Sequence, residues 1–382
     1  MVEEGWPCPP VFDNGSYMIK CGTSWDDKPS TIFPSLIGKP KYLSTSKNEK
    51  DKEKETFIGY DAQSKRGLLS INHPIQKGIF TNFDDMEKIW YHSIRNDLRS
   101  LPVNDGIMMT EISFNPKPNR EKSIEISLEK LKTCFFFIAN QSVLSLYSTG
   151  RITGTVVDLG YEVSHIVPVY EGFSIQHNIS TIDIGGKQLD EYLMKMLIEK
   201  GYYIDEMVER NTMRELKEKY CFISTNNNDI NEKDLEIEYK LPDGQMITIG
   251  KERYQCPEAL FNNSLIDNSK NNDNNSNQNG IHTITNDTIL KCDKDIRNEL
   301  YNNIILSGGT SLINNLKERL QNEMKQKVSQ ETNCNIHLPS YRNSAWIGAS
   351  ILASLSTFES MFIWKEEYEE IGASIVHKKC FM

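Results

Sequence analysis

Asp13-Asn14-Gly15-Ser16 stands between two apolar pairs, Val11-Phe12 and Met18-Ile19. This composition is that of a strand, a tight turn and a second strand. An aspartate beside a glycine and a serine in such a turn suits phosphate and Mg²⁺: backbone N–H groups point at the anion while the carboxylate reaches the metal through water. Tyr17 follows at the tip, where bare backbone would approach a phosphate most easily. "VVDLGYEVSHIV" (156–167) is a weak second copy, again an apolar strand, an Asp-x-Gly step (Asp158, Gly160) and an apolar strand. Two such hairpins far apart in sequence suggest duplicated halves, each offering one aspartate to a shared ligand; plain turns with no ligand are the other reading.

The elements that must position these residues alternate between strand and helix. "NNIILSGGTSLINNLKERL" (302–320) reads as an apolar strand, a Ser-Gly-Gly-Thr turn and an amphipathic helix, a unit that sets a helix N-terminus against an anion. "GGKQLDEYLMKMLIEKGY" (185–202) opens with glycines and carries Leu189, Leu193, Met196 and Leu197 at helical spacing. The whole is an α/β chain of 382 residues, long enough for two domains.

Composition narrows the function classes. A net charge of −10 argues against a dedicated nucleic-acid binder, which would carry a basic face. No apolar run approaches the ~20 residues of a membrane span, so no membrane insertion is expected. "MVEEGWPCPP" lacks the basic-then-apolar pattern of a secretory leader. The eight cysteines are scattered without C-x-x-C or histidine partners at ligand spacing, which predicts reduced thiols rather than a metal cluster or a disulfide framework. Two segments break the globular texture: the charge run Lys47–Glu55 and the Asn-rich tract Asn262–Gly280, neither of which can bury apolar surface.

The motifs then identify a family. "DNGSYMIKCG", "DAQSKRGLL", "TNFDDMEKIW", "NPKPNREK", "QSVLSLYSTGRITG", "YLMKMLIEKGY", "KLPDGQMITIG", "CPEALF", "LSGGTS", "WIGASILASLSTF" and "SIVHKKCF" resemble actin, in order and over essentially the whole chain. The resemblance implies the actin-like fold: two similar α/β domains, four subdomains, around a central nucleotide cleft. It places subdomain 1 at 1–38, 74–149 and 342–382, subdomain 2 at 39–73, subdomain 3 at 150–190 and 281–341, and subdomain 4 at 191–280 with the Asn-rich insertion. It implies ATP or ADP with Mg²⁺ as ligand. Asp13 and Asp158 match the carboxylates that hold the metal through water, and Gly15, Ser16 and Gly160 belong to the two phosphate loops. Lys20 matches the lysine on the β- and γ-phosphates. Gln141 matches the glutamine that positions the attacking water, with His165 its neighbour. Lys217 and Glu218 match the pair beside ribose and adenine, and Gly308, Gly309 and Thr310 the adenosine-side turn.

The chain also departs from the family's pattern. Tyr17 replaces a glycine of the first loop, and "DLGYEVSH" stands where the family has "DSGDGVTH". Leu159 thereby loses a hydroxyl, Tyr161 replaces an acid and Glu162 a glycine; Ile313 replaces an aromatic residue, and Lys77 a modified histidine. Replacing a loop glycine matters where the backbone needs positive φ, and a carboxylate turned toward a triphosphate would repel it. Weak or absent ATPase activity is the resulting expectation, against the alternative that Tyr17 and Glu162 point outward and the loops still close on ATP.

Actins self-assemble through an apolar loop and an apolar plug. Here the charge run and the Asn-rich tract stand in those places, so a homopolymer is not expected. Tyr147, Gly150, Ile351, Leu352, Leu355, Thr357 and Met361 match the hydrophobic groove where actin-binding helices dock. Two functional classes follow. One is a cytoskeletal interaction protein of the cytoplasm that docks actin, other actin-related subunits or filament ends. The other is a divergent filament-forming ATPase. A nuclear actin-related subunit of a chromatin-remodelling assembly uses the same scaffold and stays open.

Overall fold

Two compact units make up the chain, Met1–Ile152 with Asn343–Met382, and Thr153–Arg342. The structure, a computed structural model, describes residues 8–41, 56–98, 106–204, 206–225, 235–266, 280–329, 332–339 and 343–381. The charge run 47–55 and most of the Asn-rich tract lie outside the described residues.

The first unit is built on a six-stranded sheet in the order Ile363–Trp364, Phe135–Asn140, Ile107–Glu111, Pro10–Asn14, Met18–Thr23, Thr31–Pro34. Pro10–Asn14 pairs antiparallel with Met18–Thr23 and parallel with Ile107–Glu111. Its middle strands "PVFDN", "IMMTE" and "FFFIAN" are buried at every position, as a sheet covered on both faces requires. One cover is the helix Ser344–Ala353, whose Trp346 is fully buried and donates its indole N–H to the Val11 carbonyl at 3.0 Å. That helix packs on the short helix Gln141–Tyr147.

The second unit repeats the theme. Gly154–Leu159 pairs antiparallel with Ser164–Tyr170 and parallel with Ile304–Ser307, as the corresponding hairpin does in the first unit. Both aspartates sit near the end of the first hairpin strand, Asp13 opposite Lys20 and Asp158 opposite His165. Both turns need glycine for one physical reason. A Cβ on Gly15 would stand 2.7 Å from the Met18 carbonyl oxygen, and one on Gly160 would stand 2.6 Å from that of Val163. The internal copies in the sequence are therefore two hairpins with the same place in their sheets and the same turn constraint. The second unit's core gathers Leu189, Leu193 and Leu197 from the helix Gly186–Glu199 at the spacing the sequence showed, while Met196 packs at its edge.

Candidate nucleotide-binding constellations

In the first unit the side chains converge on Asp13, which is 3% exposed. Its Oδ2 accepts from Lys20 Nζ at 2.7 Å. Its Oδ1 accepts from Thr110 Oγ1 at 2.8 Å and from Gln141 Nε2 at 3.1 Å. The pairing register explains the convergence: Lys20 is Asp13's cross-strand partner, and Thr110 comes from the neighbouring parallel strand. Gln141 opens its helix just beyond the strand Phe135–Asn140. Gln141 also bonds Thr110 Oγ1 at 3.0 Å and the Asn14 carbonyl at 3.3 Å, so its amide N–H₂ is spent and its amide oxygen is the group that could orient a water. A carboxylate ringed by three donors suits holding a cation through water rather than direct ligation. Thr110 was not among the residues expected from sequence; its signal was the polar residue ending the apolar run "IMMT".

Ser16 meets the hairpin tip that carries Lys77. Lys77 and Gly78 form the two-residue tip of the hairpin Ile75–Gln76/Ile79–Phe80, both at positive φ (47° and 76°), and the Gly78 N–H donates to Ser16 Oγ at 2.7 Å. Tyr17 is half-buried, and its carbonyl accepts from the Ser35 N–H at 2.8 Å. Neither Tyr17 nor Glu162 is among the non-glycine residues at positive φ. Neither position therefore requires the positive φ at which replacing a loop glycine would matter.

In the second unit the loop after Asp158 is tied down along its length. The Gly160 carbonyl accepts from the Gly186 N–H at 3.0 Å and from Thr310 Oγ1 at 2.9 Å, and the Tyr161 carbonyl from the Lys187 N–H at 2.7 Å. Glu162 does not present a bare charge: its carboxylate accepts from Lys187 Nζ at 2.9 Å. Leu159 is fully buried in the unit's core. Gly308 has a φ of 82°, and a Cβ there would stand 2.2 Å from the Leu159 carbonyl and 2.8 Å from Asp158 Oδ1, so only glycine lets the third strand's turn approach the aspartate. A Cβ on Gly309 would meet nothing. Ile313 is half-buried against the core.

His165 is 6% exposed; its Nδ1 lies 3.2 Å from Thr181 Oγ1, and its Nε2 is buried with no hydrogen-bond partner among the described residues. Burial lowers its pKa to about 4 against the opposing charge of Asp183, so the ring is neutral at neutral pH. A buried, orphaned ring nitrogen fits a site that a water or a ligand completes. Lys217 points inward, with Nζ 2.6 Å from the Gly186 carbonyl and 2.7 Å from Asp190 Oδ1. Glu218 is exposed and bonds Arg214 at 2.7 Å. Lys217 and Glu218 are thus not brought together: adjacent helical residues are about 100° apart around the axis, and only one can face in.

The groove residues divide as well. Ile351 and Leu355 are 42% and 47% exposed, and Gly150 and Thr357 are exposed too. Tyr147 and Met361 are half-buried against the core. Leu352 is 7% exposed and belongs to the core cluster, unlike its exposed neighbour Ile351.

The family model for actin matches residues 9–381. The chain belongs to the actin family. It is 42% identical over 388 residues to a Dictyostelium discoideum protein named "Putative actin-29", covering 97% of this chain and 96% of that protein. Actin-family proteins typically bind adenine nucleotide with a divalent cation, and the mixed α/β sheets described above are consistent with the actin fold. No helix among the described residues is long and apolar enough to cross a membrane.

Proposed function

We propose that this actin-family chain is an interaction subunit that docks amphipathic helices of partners, actin or actin-related subunits among them, or a filament end, with Mg²⁺-bound ATP or ADP as a conformational ligand. The observation that carries this reading is the exposure of Ile351, in a helix whose other residues are nearly all buried, and of Leu355 just past that helix's end. Apolar side chains held out at Ile351 and Leu355, with Tyr147 and Met361 half-buried in the same unit, offer anchors for a helix laid in a groove. The charge run 47–55 argues against self-assembly, because an apolar pocket that received it would have to bury unpaired ions.

In this reading Asp13 and Asp158 would hold the metal through water, Lys20 the phosphates, and Lys217 with Gly308, Gly309 and Thr310 the adenosine side. The metal-bound nucleotide, when present, would supply the phosphoryl group and the charge to which these side chains answer. Gln141 and neutral His165 would orient a water. The second reading, a filament-forming ATPase, draws on one observation: Lys187 neutralises Glu162, so the repulsion expected at the second loop is offset.

The test of the docking reading is fluorescence anisotropy with a labelled amphipathic helix from an actin-binding protein. Binding is expected for the wild type and lost in Leu355→Asp at an unchanged melting temperature. Equal binding by the variant would remove the groove from the account.

A further inference from the structure

The ion pair of Lys217 with Asp190 brings in a carboxylate that the sequence reading did not single out. Both residues are 4% exposed. Asp190 sits one turn into the helix Gly186–Glu199, and Lys217 on the helix Glu206–Tyr220. With Nζ 2.7 Å from Asp190 and 2.6 Å from the Gly186 carbonyl, Lys217 straps the first helical turn from inside. The same turn holds the loop 160–162. Gly186 and Lys187 donate their amides to Gly160 and Tyr161, Gln188 Nε2 reaches the Glu162 carbonyl at 3.3 Å, and Lys187 Nζ pairs with the Glu162 carboxylate. Thr310 closes the ring onto Gly160. A Cβ on Gly186 would stand 3.1 Å from Thr310 Oγ1, 3.2 Å from Lys217 Nζ and 3.3 Å from Tyr161 Cδ2, so these groups meet over one glycine. Lys217, the helix start and the second loop form one connected hydrogen-bonded body, and Asp190 is joined to it by its ion pair with Lys217.

We propose that Asp190 is a positioning residue of the nucleotide site, its ionised carboxylate holding Lys217 on the Gly186 carbonyl and so fixing the loop 160–162 for an anionic adenine nucleotide. This rests on the nucleotide reading above. Burial raises the Asp190 carboxyl to about 6 against the pull of Lys217, with Glu218 and Glu191 pushing the same way. Tyr161 and Cys256 also face it, both kept protonated by burial, and Arg210 acts on Tyr161 from the Lys217 helix. The carboxyl therefore takes up protons as the pH falls from 7.5 to 5.5, and Lys217 then loses the negative charge of its Asp190 partner while keeping the Gly186 carbonyl.

The experiment measures Mg-ADP affinity of the full chain from pH 7.5 to 5.5, for the wild type and Asp190→Asn. The nucleotide's own titration is common to both proteins. The wild type is expected to weaken at least threefold more than the variant, which binds weakly at both ends. A variant with wild-type affinity and the same pH profile overturns the role of Asp190 and leaves the nucleotide reading standing. A wild type that binds no Mg-ADP at pH 7.5 overturns both. Should Asp190→Asn fail to fold, carboxyl ¹³C NMR of the wild type decides: saturating Mg-ADP must lower the Asp190 pKa, because a ligand that prefers the ionised form reciprocally favours ionisation. An unchanged pKa overturns the proposal.

Discussion

At the scale of single residues, charge pairing decides what the altered loops can do. Glu162 looks hostile to a triphosphate in sequence, yet Lys187, 25 residues further on, lies on it. Nothing local in "YEVSH" announces that partner, because the pairing depends on the helix start docking against the loop. Lys20 is different: a turn at 15–18 puts it opposite Asp13, so that contact was legible from hairpin register alone. Lys187→Met should change stability by less than about 1 kcal/mol, since the pair is partly exposed. It should weaken Mg-ATP binding about tenfold by unmasking Glu162, and nucleotide titration beside a thermal melt checks both halves. His165 gives a pH prediction. Its pKa is depressed in the fold, to about 4, so the unfolded chain binds more protons between pH 6.5 and 4. Stability held above pH 6.5 is then lost as pH falls through that window, by up to about 3 kcal/mol. In urea unfolding, His165→Gln should flatten that part of the pH dependence.

At the scale of elements, the two hairpins and the strand–turn–helix unit were readable because alternation and glycine placement set them locally. The helix Ser344–Ala353 was only half readable. "SAWIGASILA" is apolar or small on every side, so no periodicity tells which of Ile351 and Leu352 faces out. Burial of Leu352 in the first unit's core settles it. Leu352→Asp should consequently cost several kcal/mol through an unpaired buried charge, whereas Leu355→Asp should stay within about 0.5 kcal/mol as a surface change. Paired denaturant melts distinguish them, and equal losses would place Leu355 in the core. For the same reason Lys217 and Glu218 could not be separated by type alone; their positions around one helix separate them.

At the scale of the whole molecule, the fold class was legible because motifs recur along the full length in actin order, and the family match over residues 9–381 agrees. What the chain does with that fold turns on whether it assembles with itself. Apolar side chains are held out at Ile351 and Leu355, while the sequence offers lysines and glutamates in the run 47–55. Burying those charges in an apolar groove would cost several kcal/mol and weaken self-association well beyond tenfold. High-speed sedimentation of the purified chain at micromolar concentration, in Mg²⁺ and ATP with released phosphate followed in parallel, tests this directly. The protein should remain in the supernatant with negligible phosphate release; a pellet that forms with ATP and releases phosphate as it forms would contradict the interaction-subunit reading and establish a polymerising ATPase.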